Sequence, residues 1–291
     1  MRIATWNVNS LTPERLERLW DWVDAAQPDI LCLQETKSTD DAFPALDLHA
    51  RGYASVHNGQ GRWNGVAIAS RVGLADPVAG FAAGIPPDPE ARLVSATCGG
   101  VRVSSVYVPN GRAVGHDQFA YKLDWLARLR AHLDAEAAAA AAAAPAAGAA
   151  SAANGRTHGS RGHRSVAVCG DFNIAPADID VYSPAAFAGS THVTPEERAA
   201  LAELEAWGLR DAFRELYPGV PRLYSWWDYR AGMFHKHNGM RIDLVLLSDD
   251  LASQARFALV DRNARKGKKP SDHAPLFVDL DVDVRADADA A

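Results

Sequence analysis

The chain has 291 residues, 48% of them hydrophobic, which is enough to bury a large core in a single α/β domain, although two domains are possible. No run of about 18 apolar residues could span a bilayer and the N-terminus lacks the features of a signal peptide, which excludes a membrane protein and predicts a soluble, cytoplasmic one. The net charge of −6 argues only weakly against a polyanionic partner, because basic residues cluster at Lys266, Lys268 and Lys269.

Apolar, strand-like segments alternate with amphipathic helices along the chain. Buried strands are predicted at residues 2–8, 29–34, 65–70, 101–108, 165–170, 242–247 and 275–281. Helices are predicted to begin at Thr12, at about Asp117 and at a capping box formed by Thr194 and Glu197. The first helix should present one apolar face, made of Leu16, Leu19, Trp20 and Val23. Strands in the core with helices outside predict a layered α/β or α+β domain over residues 1–284.

One segment interrupts this pattern. Residues 135–164 are rich in alanine and contain no large apolar side chain, so they cannot contribute to a core. Alanine has the highest helix propensity, so the preceding helix can continue to Ala144, before Pro145 ends it. We therefore predict a surface insertion, partly helical and then disordered, within one domain, and an acidic C-terminal tail at residues 285–291.

Three cysteines, Cys32, Cys98 and Cys169, lie in or beside apolar runs and lack Cys-x-x-Cys spacing. No group of cysteines and histidines has the ligand spacing of a zinc site. We expect buried free thiols instead of disulfides.

Polar side chains stand at the ends of six predicted strands. They are Asn7 and Asn9, Glu35, Tyr107 and Asn110, Asp171 and Asn173, Asp243, and Asp272 and His273. Each alone is typical of a turn, but carboxylates and carboxamides together, without matching lysines, suit a hard divalent cation. Neighbouring residues of an extended chain face opposite sides, so Ser271, Asp272 and His273 do not form a nucleophilic triad. Asp272 is expected to face a metal and His273 the substrate.

The ordered motifs WNVNS, LQETK, YVPNGR, GDFNIAP, SWWDYR, GMRIDLVL and SDHAP resemble those of the endonuclease/exonuclease/phosphatase superfamily, specifically its exonuclease III branch. The resemblance extends from Met1 to about Asp281, apart from the insertion. It implies a four-layer sandwich of two mixed β-sheets flanked by helices, in a monomeric enzyme. GDFN and SDH mark only the superfamily, whereas SWWDYR followed by GMRIDLVL resembles the branch that acts at abasic sites.

The resemblance also implies a metal site. Glu35 would bind Mg²⁺, for which Mn²⁺ can substitute, with Asn7 and Asp272 in or next to the coordination shell. Asn9 stands where some relatives have aspartate, which leaves its role as a ligand open. One metal ion or two could operate.

Five residues take catalytic roles by the same resemblance. Asp171 would orient or deprotonate the attacking water and Asn173 would hold Asp171 or the phosphate, and these two could also bind a second metal. Tyr107 and His273 would contact the phosphate, while Asp243 would hold His273 in its working tautomer. A neighbouring carboxylate favours the protonated imidazole, so Asp243 should raise the pKa of His273.

Three apolar residues, Trp226, Met240 and Ile242, align with a pocket for a sugar that lacks its base. Such a pocket selects by exclusion, because a flipped abasic deoxyribose fits and a nucleotide with its base does not. The neighbouring Trp227 can equally be a core residue.

Other residues are expected to contact the DNA backbone and grooves. Trp63 and Asn64 resemble a loop that approaches the minor groove, and Arg112 resembles a contact on the opposite groove. Lys122 and the lysines of residues 266–269 would add phosphate contacts, which would make binding fall steeply with salt.

These expectations predict a Mg²⁺-dependent DNA-repair phosphodiesterase of the exodeoxyribonuclease III kind, associated with the nucleoid. It would remove nucleotides and blocking groups from 3′ ends of duplex DNA and cut 5′ to abasic sites. Two alternatives remain open: a lipid or inositol-phosphate phosphodiesterase with the same metal core, and a DNA-binding protein without activity. The complete acidic set argues against the second alternative.

Overall fold

The computed structural model describes residues 1–143 and 165–282. The strands in these two stretches are β1 (Arg2–Asn7), β2 (Ile30–Gln34), β3 (Ala54–Asn58), β4 (Val66–Ser70), β5 (Ala75–Ala79), β6 (Leu93–Cys98), β7 (Val101–Tyr107), β8 (Val166–Asp171), β9 (Leu209–Asp211), β10 (Asp243–Ser248), β11 (Ala255–Val260) and β12 (Leu276–Leu280). The helices are α1 (Pro13–Ala26), α2 (Ala45–Ala50), α3 (Asp117–Ala143), α4 (Pro184–Phe187), α5 (Pro195–Ala206), α6 (Ala212–Leu216), α7 (Met233–Lys236) and α8 (Asp249–Ala252).

The strands form two six-stranded sheets, with the orders β11-β12-β1-β2-β4-β3 and β5-β6-β7-β8-β10-β9. Apolar residues of both sheets share one core cluster, so the sheets pack face to face. A second cluster joins the outer face of the β7–β8 sheet to α3 and α5, and a third joins the outer face of the β1–β2 sheet to α1. The predicted four-layer sandwich of two mixed sheets is therefore confirmed.

Strand pairing brings polar strand ends together. In one sheet β1 runs parallel to β2 with Asn7 opposite Gln34, and in the other β7 runs parallel to β8 with Tyr107 opposite Asp171. Strand β10 runs antiparallel to β8, so its first residue, Asp243, also pairs with Asp171. Parallel neighbours end on the same edge of a sheet, which gathers their terminal side chains at one end of the sandwich.

The predicted helices form, with one difference in the first. Helix α1 buries Leu19, Trp22 and Val23, whereas Leu16 and Trp20 of the predicted face are only partly buried. Helix α3 continues through the alanines to Ala143, as expected from their helix propensity. At α5 the Thr194 side chain accepts a hydrogen bond from the Glu197 N–H, and the Glu197 carboxylate accepts one from the Thr194 N–H.

All seven predicted strands are present within one or two residues of their predicted ends, but β3, β5, β6, β9 and β11 were missed. The three cysteines are free and buried, as predicted. Residues 144–164, which include most of the predicted insertion, and the predicted acidic tail at residues 285–291 lie outside the described residues. No helix in residues 1–143 or 165–282 is both long enough and apolar enough to cross a membrane.

Candidate active site

His273 and Asp243 form a buried pair where the two sheets meet. The Asp243 side chain is fully buried, and its Oδ2 lies 2.8 Å from Nδ1 of His273. Burial alone would lower the pKa of His273, but the carboxylates of Asp243 and Asp171 raise it to about 10. The imidazole is therefore cationic near neutral pH, and its Nε2 faces Asp171 Oδ2 at 3.7 Å.

Asp171, the last residue of β8, is 1% exposed and is held by three donors. Its Oδ1 accepts a hydrogen bond from the Asn173 N–H at 2.8 Å, and its Oδ2 accepts from Asn7 Nδ2 at 2.9 Å and from Asn173 Nδ2 at 3.3 Å. Burial raises the pKa of Asp171 to about 7, against the opposing charge of His273. A carboxyl group with a pKa near neutrality can exchange a proton with water under ordinary conditions.

Glu35 and Asp171 could hold a cation, with the protonated imidazole of His273 beside them. Ligand atoms of Glu35, Asp171 and His273 all lie within 4.8 Å of one another. Two carboxylates held this close at a largely buried site repel each other, and a divalent cation would relieve that repulsion. Carboxylate oxygens are the ligands that Mg²⁺ and Mn²⁺ prefer, so the donor set fits the predicted metal.

The other two predicted metal residues occupy different positions. Asn7 donates from Nδ2 to Glu35 Oε1 at 2.8 Å and to Asp171, while its Oδ1 accepts from the Asn9 N–H. It therefore lies next to the cation site and presents an N–H donor to the carboxylates, where a ligand would present oxygen. The Asp272 carboxylate accepts from Asn9 Nδ2 at 2.8 Å and from Trp226 Nε1 at 3.0 Å, outside the group of three.

Lys37 belongs to this site and was not predicted. Its Nζ lies 2.8 Å from Glu35 Oε2 and donates to Asn9 Oδ1 at 2.7 Å. Glu35, Lys37 and Asn9 all have positive φ, at 52°, 49° and 48°. The motif LQETK could have predicted this contact, because its lysine, Lys37, stands two residues after the proposed metal ligand Glu35.

Tyr107 ends β7 beside Glu35. Burial raises the pKa of Tyr107, and the Glu35 carboxylate adds to this, so the phenol keeps its proton and can donate it in a hydrogen bond. The Arg92 guanidinium, also missed, lies 4.5 Å from the centre of the tyrosine ring.

Ser271 has a structural contact, in agreement with the prediction that it is not a nucleophile. Its hydroxyl is buried, donates to the Asn7 carbonyl at 2.7 Å and accepts from the His273 N–H at 3.1 Å. The hydroxyl thereby links the end of β1 to His273.

The apolar trio Trp226, Met240 and Ile242 lies in one cluster with Ala175 and Val181. Met240 and Ile242 are buried, whereas Trp226 is only partly buried. Trp226 forms backbone bridges with both Met240 and His273, which puts the cluster directly beside the imidazole. Trp227 is fully buried in a separate core cluster.

Of the predicted DNA contacts, Trp63 and Arg112 are exposed, Asn64 is partly buried and Lys122 is fully buried. Trp63 is 65% exposed, and Asn64 and Arg112 adopt positive φ in loops. Lys122 was expected at the surface, and this is wrong. Its side chain is fully buried and paired with Glu197, so its charge cannot meet a phosphate of a DNA backbone outside.

Comparison with known proteins agrees with this geometry, since residues 4–273 match the endonuclease/exonuclease/phosphatase family. The chain belongs to this family. It is 30% identical to exodeoxyribonuclease III of Haemophilus influenzae, over 96% of this chain and 100% of the relative. Among solved structures, a 3′ phosphatase from Neisseria bound to product DNA hairpin matches with a TM-score of 0.85 and 37% identity, and an AP endonuclease from Archaeoglobus fulgidus with 0.83 and 34%. Each of these two matches covers 97% of this chain and 100% of the other.

As a member of the endonuclease/exonuclease/phosphatase family, the chain is a metal-dependent phosphodiester hydrolase, which confirms the predicted family and enzyme class. Its relatives carry the names of DNA-repair phosphodiesterases. A cation bound at Glu35 and Asp171 would supply positive charge to the phosphate oxygens. Asp171 can accept a proton from water, and cationic His273 can donate a hydrogen bond to developing negative charge.

Proposed function

We propose that this protein is a Mg²⁺-dependent phosphodiesterase of duplex DNA that removes nucleotides and blocking groups from 3′ ends and cuts 5′ to abasic sites. The observation that carries the proposal is the buried set of Asp171, Asp243 and His273 directly beside the apolar cluster of Trp226. The names of the relatives, which cover exodeoxyribonuclease, 3′ phosphatase and AP endonuclease activity, support the same class of substrate.

The proposed mechanism assigns one role to each polar group. Asp171 takes a proton from the attacking water, because its carboxylate is held in a fixed direction by the Asn173 N–H and can act as a general base. Cationic His273 and the phenol of Tyr107 donate hydrogen bonds to phosphate oxygens, where negative charge develops. Glu35 and Asp171 would hold Mg²⁺, for which Mn²⁺ can substitute, and the cation would supply positive charge to the phosphate oxygens.

The proposed specificity comes from the cluster beside His273. A deoxyribose without its base can enter a small apolar space, whereas a complete nucleotide is excluded by size. Trp226 is the partly buried member of the trio and would form the accessible wall. Exposed Trp63 and Arg112 would contact the duplex on either side, in a monomeric enzyme that works on DNA of the nucleoid in the cytoplasm.

Three duplexes test the proposal in Mg²⁺, with chelator as the blank. One has a recessed unblocked 3′ end, one carries a 3′ phosphate and one contains a tetrahydrofuran abasic analogue. We expect cleavage of all three that chelator abolishes, and folded protein that leaves all three intact would contradict the proposal. Activity at 3′ ends alone would support the proposed removal of nucleotides and blocking groups, and it would contradict the proposed pocket for an abasic sugar.

A pocket variant sharpens the result. Trp226→Ala should reduce cutting at the abasic analogue by about 10-fold or more, with a smaller effect on 3′ phosphate removal, since a phosphate at a 3′ end needs no flipped sugar. Tyr224→Phe is the matched control, because Tyr224 is a neighbouring buried aromatic in a different cluster. Equal losses on both substrates in Trp226→Ala would contradict the assignment of the pocket.

A further inference from the structure

Lys122 and Glu197 form an ion pair that the proposed mechanism does not use. Both side chains are completely buried, and Nζ lies 2.5 Å from Oε1. Burying two charges costs free energy, and a buried ion pair is weak evidence of added stability. A role other than stability could therefore explain why the pair lies here. The pair links α3 to the N-terminus of α5, just behind the turn that follows β8.

The contacts of Lys122 lead to the catalytic turn. Besides Glu197, its ammonium group donates to the Asn173 carbonyl at 2.7 Å and reaches the Asn110 carbonyl at 3.4 Å. These three acceptors match the three N–H donors of an ammonium group. The two carbonyls belong to the loops that follow β8 and β7, the strands that end in Asp171 and Tyr107.

Glu197 is fixed by its own set of donors. Its Oε1 also accepts from the Thr191 hydroxyl at 2.7 Å and the His192 N–H at 2.9 Å. Its Oε2 accepts from the Thr194 N–H at 3.1 Å and the Thr194 hydroxyl at 2.8 Å. A carboxylate with this many partners cannot swing, so it gives Lys122 a fixed anchor.

Asn173 connects Lys122 to the catalytic carboxylate of Asp171. Its φ of 50° is in the left-handed region, which a residue with a side chain adopts only when its surroundings hold it there. Its N–H donates to Asp171 Oδ1 at 2.8 Å, and its Nδ2 donates to the Val108 carbonyl at 3.0 Å. The Asn173 N–H and carbonyl are joined through the fixed backbone angles of this residue, so the direction of the Asp171 carboxylate depends on where the Asn173 backbone is held.

We propose that Lys122 and Glu197 are positioning residues for the hydrolysis of phosphate esters, which hold the Asn173 carbonyl so that the Asn173 N–H aims the carboxylate of Asp171. This inference rests on the proposed function, since it takes Asp171 as the base. A displacement of a reacting group by about 1 Å can cost roughly 100-fold in rate, so a loosened turn should lower kcat while substrate binding changes little.

A double-mutant cycle tests the inference. Lys122→Met and Glu197→Gln each leave one buried partner without its counter-charge, so each should lower the melting temperature as well as kcat. The double variant leaves no unpaired charge and should recover much of the melting temperature. Its kcat should stay about 10- to 100-fold below wild type, with KM within about 3-fold, because no ammonium holds the turn. Recovery of kcat together with the melting temperature would show a purely structural pair and overturn the inference.

Glu197→Gln alone covers the case in which the lysine variants fail to fold. Glutamine keeps the shape of the side chain but only one acceptor oxygen, so either the His192 N–H or the Thr194 N–H loses its partner, and kcat is compared at a temperature at which the melting curve shows the variant fully folded. We expect kcat to fall by about 10-fold at an almost unchanged KM. An unchanged kcat in this variant would also overturn the inference.

A second, largely buried ion pair that also involves α3 supplies the control. Arg102 at the start of β7 pairs with Glu136 on α3, at the opposite end of the strand from Tyr107. The double variant Arg102→Met with Glu136→Gln should change the melting temperature and leave kcat at the wild-type value. A comparable loss of kcat in this control would mean that any weakening of α3 slows the reaction, which would contradict a specific role for Lys122.

Two substrates separate this inference from the proposed function. Each variant is assayed on the 3′-phosphate duplex and on bis(p-nitrophenyl) phosphate, a phosphodiester without DNA. A wild-type protein that hydrolyses only the small diester contradicts the DNA function and still reports on the ion pair. A wild-type protein inactive on both contradicts the function and this inference together.

Discussion

The two sides of the active site are built differently. On one side, which we call the buried side, Asp171, Asn173, Asp243 and His273 are each at most 4% exposed. On the other, which we call the open side, Asn9, Glu35, Lys37 and Asp272 are only partly buried and bond mainly to one another. The first set is fixed by β8, β10 and the Lys122–Glu197 pair, whereas the second lies on loops after β1 and β2 and before β12.

This difference indicates a division of labour. Groups that exchange or donate protons must keep their geometry through the reaction, and packing on every side provides this. Groups around a cation must exchange partners when it binds. Lys37 pairs with Glu35 at 2.8 Å, and a bound cation would replace this contact. Substitutions on the buried side should therefore affect mainly kcat, even at Asp171, which also faces the cation, and those on the open side should affect mainly the metal requirement.

The largest effect is expected from Asp171→Asn. Asparagine keeps the size of the side chain and removes the base, so kcat should fall by about 10³-fold or more. Excess Mg²⁺ should not restore the rate, as measured by single-turnover cleavage of the 3′-phosphate duplex. An unchanged rate would contradict the proposed mechanism, even with the family assignment intact.

Asp243→Asn is expected to lower the rate by about 10²-fold and to change its pH dependence. In the wild-type protein the pKa of His273 is about 10, so the imidazole is cationic below that pH and activity that needs the cation is lost above it. Without the Asp243 carboxylate the pKa falls, so activity should be lost at a lower pH. A pH–rate profile with the same alkaline limit in both proteins would rule out this pairing as its cause.

The same pair should also affect stability. The folded-state pKa of about 10 lies above the usual value of 6.5, so the pair stabilises the fold fully below about pH 6.5 and progressively less as pH rises through about 10. Melting temperatures measured in chelator should therefore differ most between wild type and Asp243→Asn at the acidic end of this range. A difference in melting temperature that grows as the pH rises would contradict this contribution of the pair to stability.

On the open side, Asn9→Asp should have a moderate effect on the metal requirement. A carboxylate here would face Asp272 in place of the Nδ2 donor at 2.8 Å, and the added negative charge favours a cation. The Mg²⁺ concentration for half-maximal activity should fall by about 3- to 10-fold, with kcat at saturating Mg²⁺ within about 3-fold. A changed kcat with an unchanged metal requirement would contradict the assignment of Asn9 to the open side.

The smallest effect is expected from deleting residues 137–162. This segment runs from the end of α3 to just before β8, whereas Asp171 lies at the far end of β8 and Tyr107 on β7 before α3, so the site does not depend on the length of the segment. Cleavage should remain within about 2-fold of wild type. A large loss, with a weaker salt dependence of DNA binding, would indicate that Arg156 and Arg161 contact DNA.

The sequence predicted the buried side of the site better than its surroundings. Strands with continuous apolar runs, such as β8 and β10, were found, whereas β5 at a sheet edge is largely exposed and carries no such pattern. His273 and Asp243 were paired through the resemblance of their motifs. Lys122 was misplaced, because its partner Glu197 is 75 residues away and only folding brings them together. Lys37 was overlooked for a different reason, since a lysine after a strand usually faces solvent.

A metal titration of two variants tests the contrast between the two sides most directly. Cleavage of the 3′-phosphate duplex is measured against Mg²⁺ concentration for Glu35→Gln and Asp171→Asn. We predict that Glu35→Gln needs about 10-fold or more additional Mg²⁺ yet recovers much of its rate at saturation, while Asp171→Asn stays inactive at every concentration. Recovery of Asp171→Asn by Mg²⁺, or a rate of Glu35→Gln that does not respond to Mg²⁺, would contradict this account of the site.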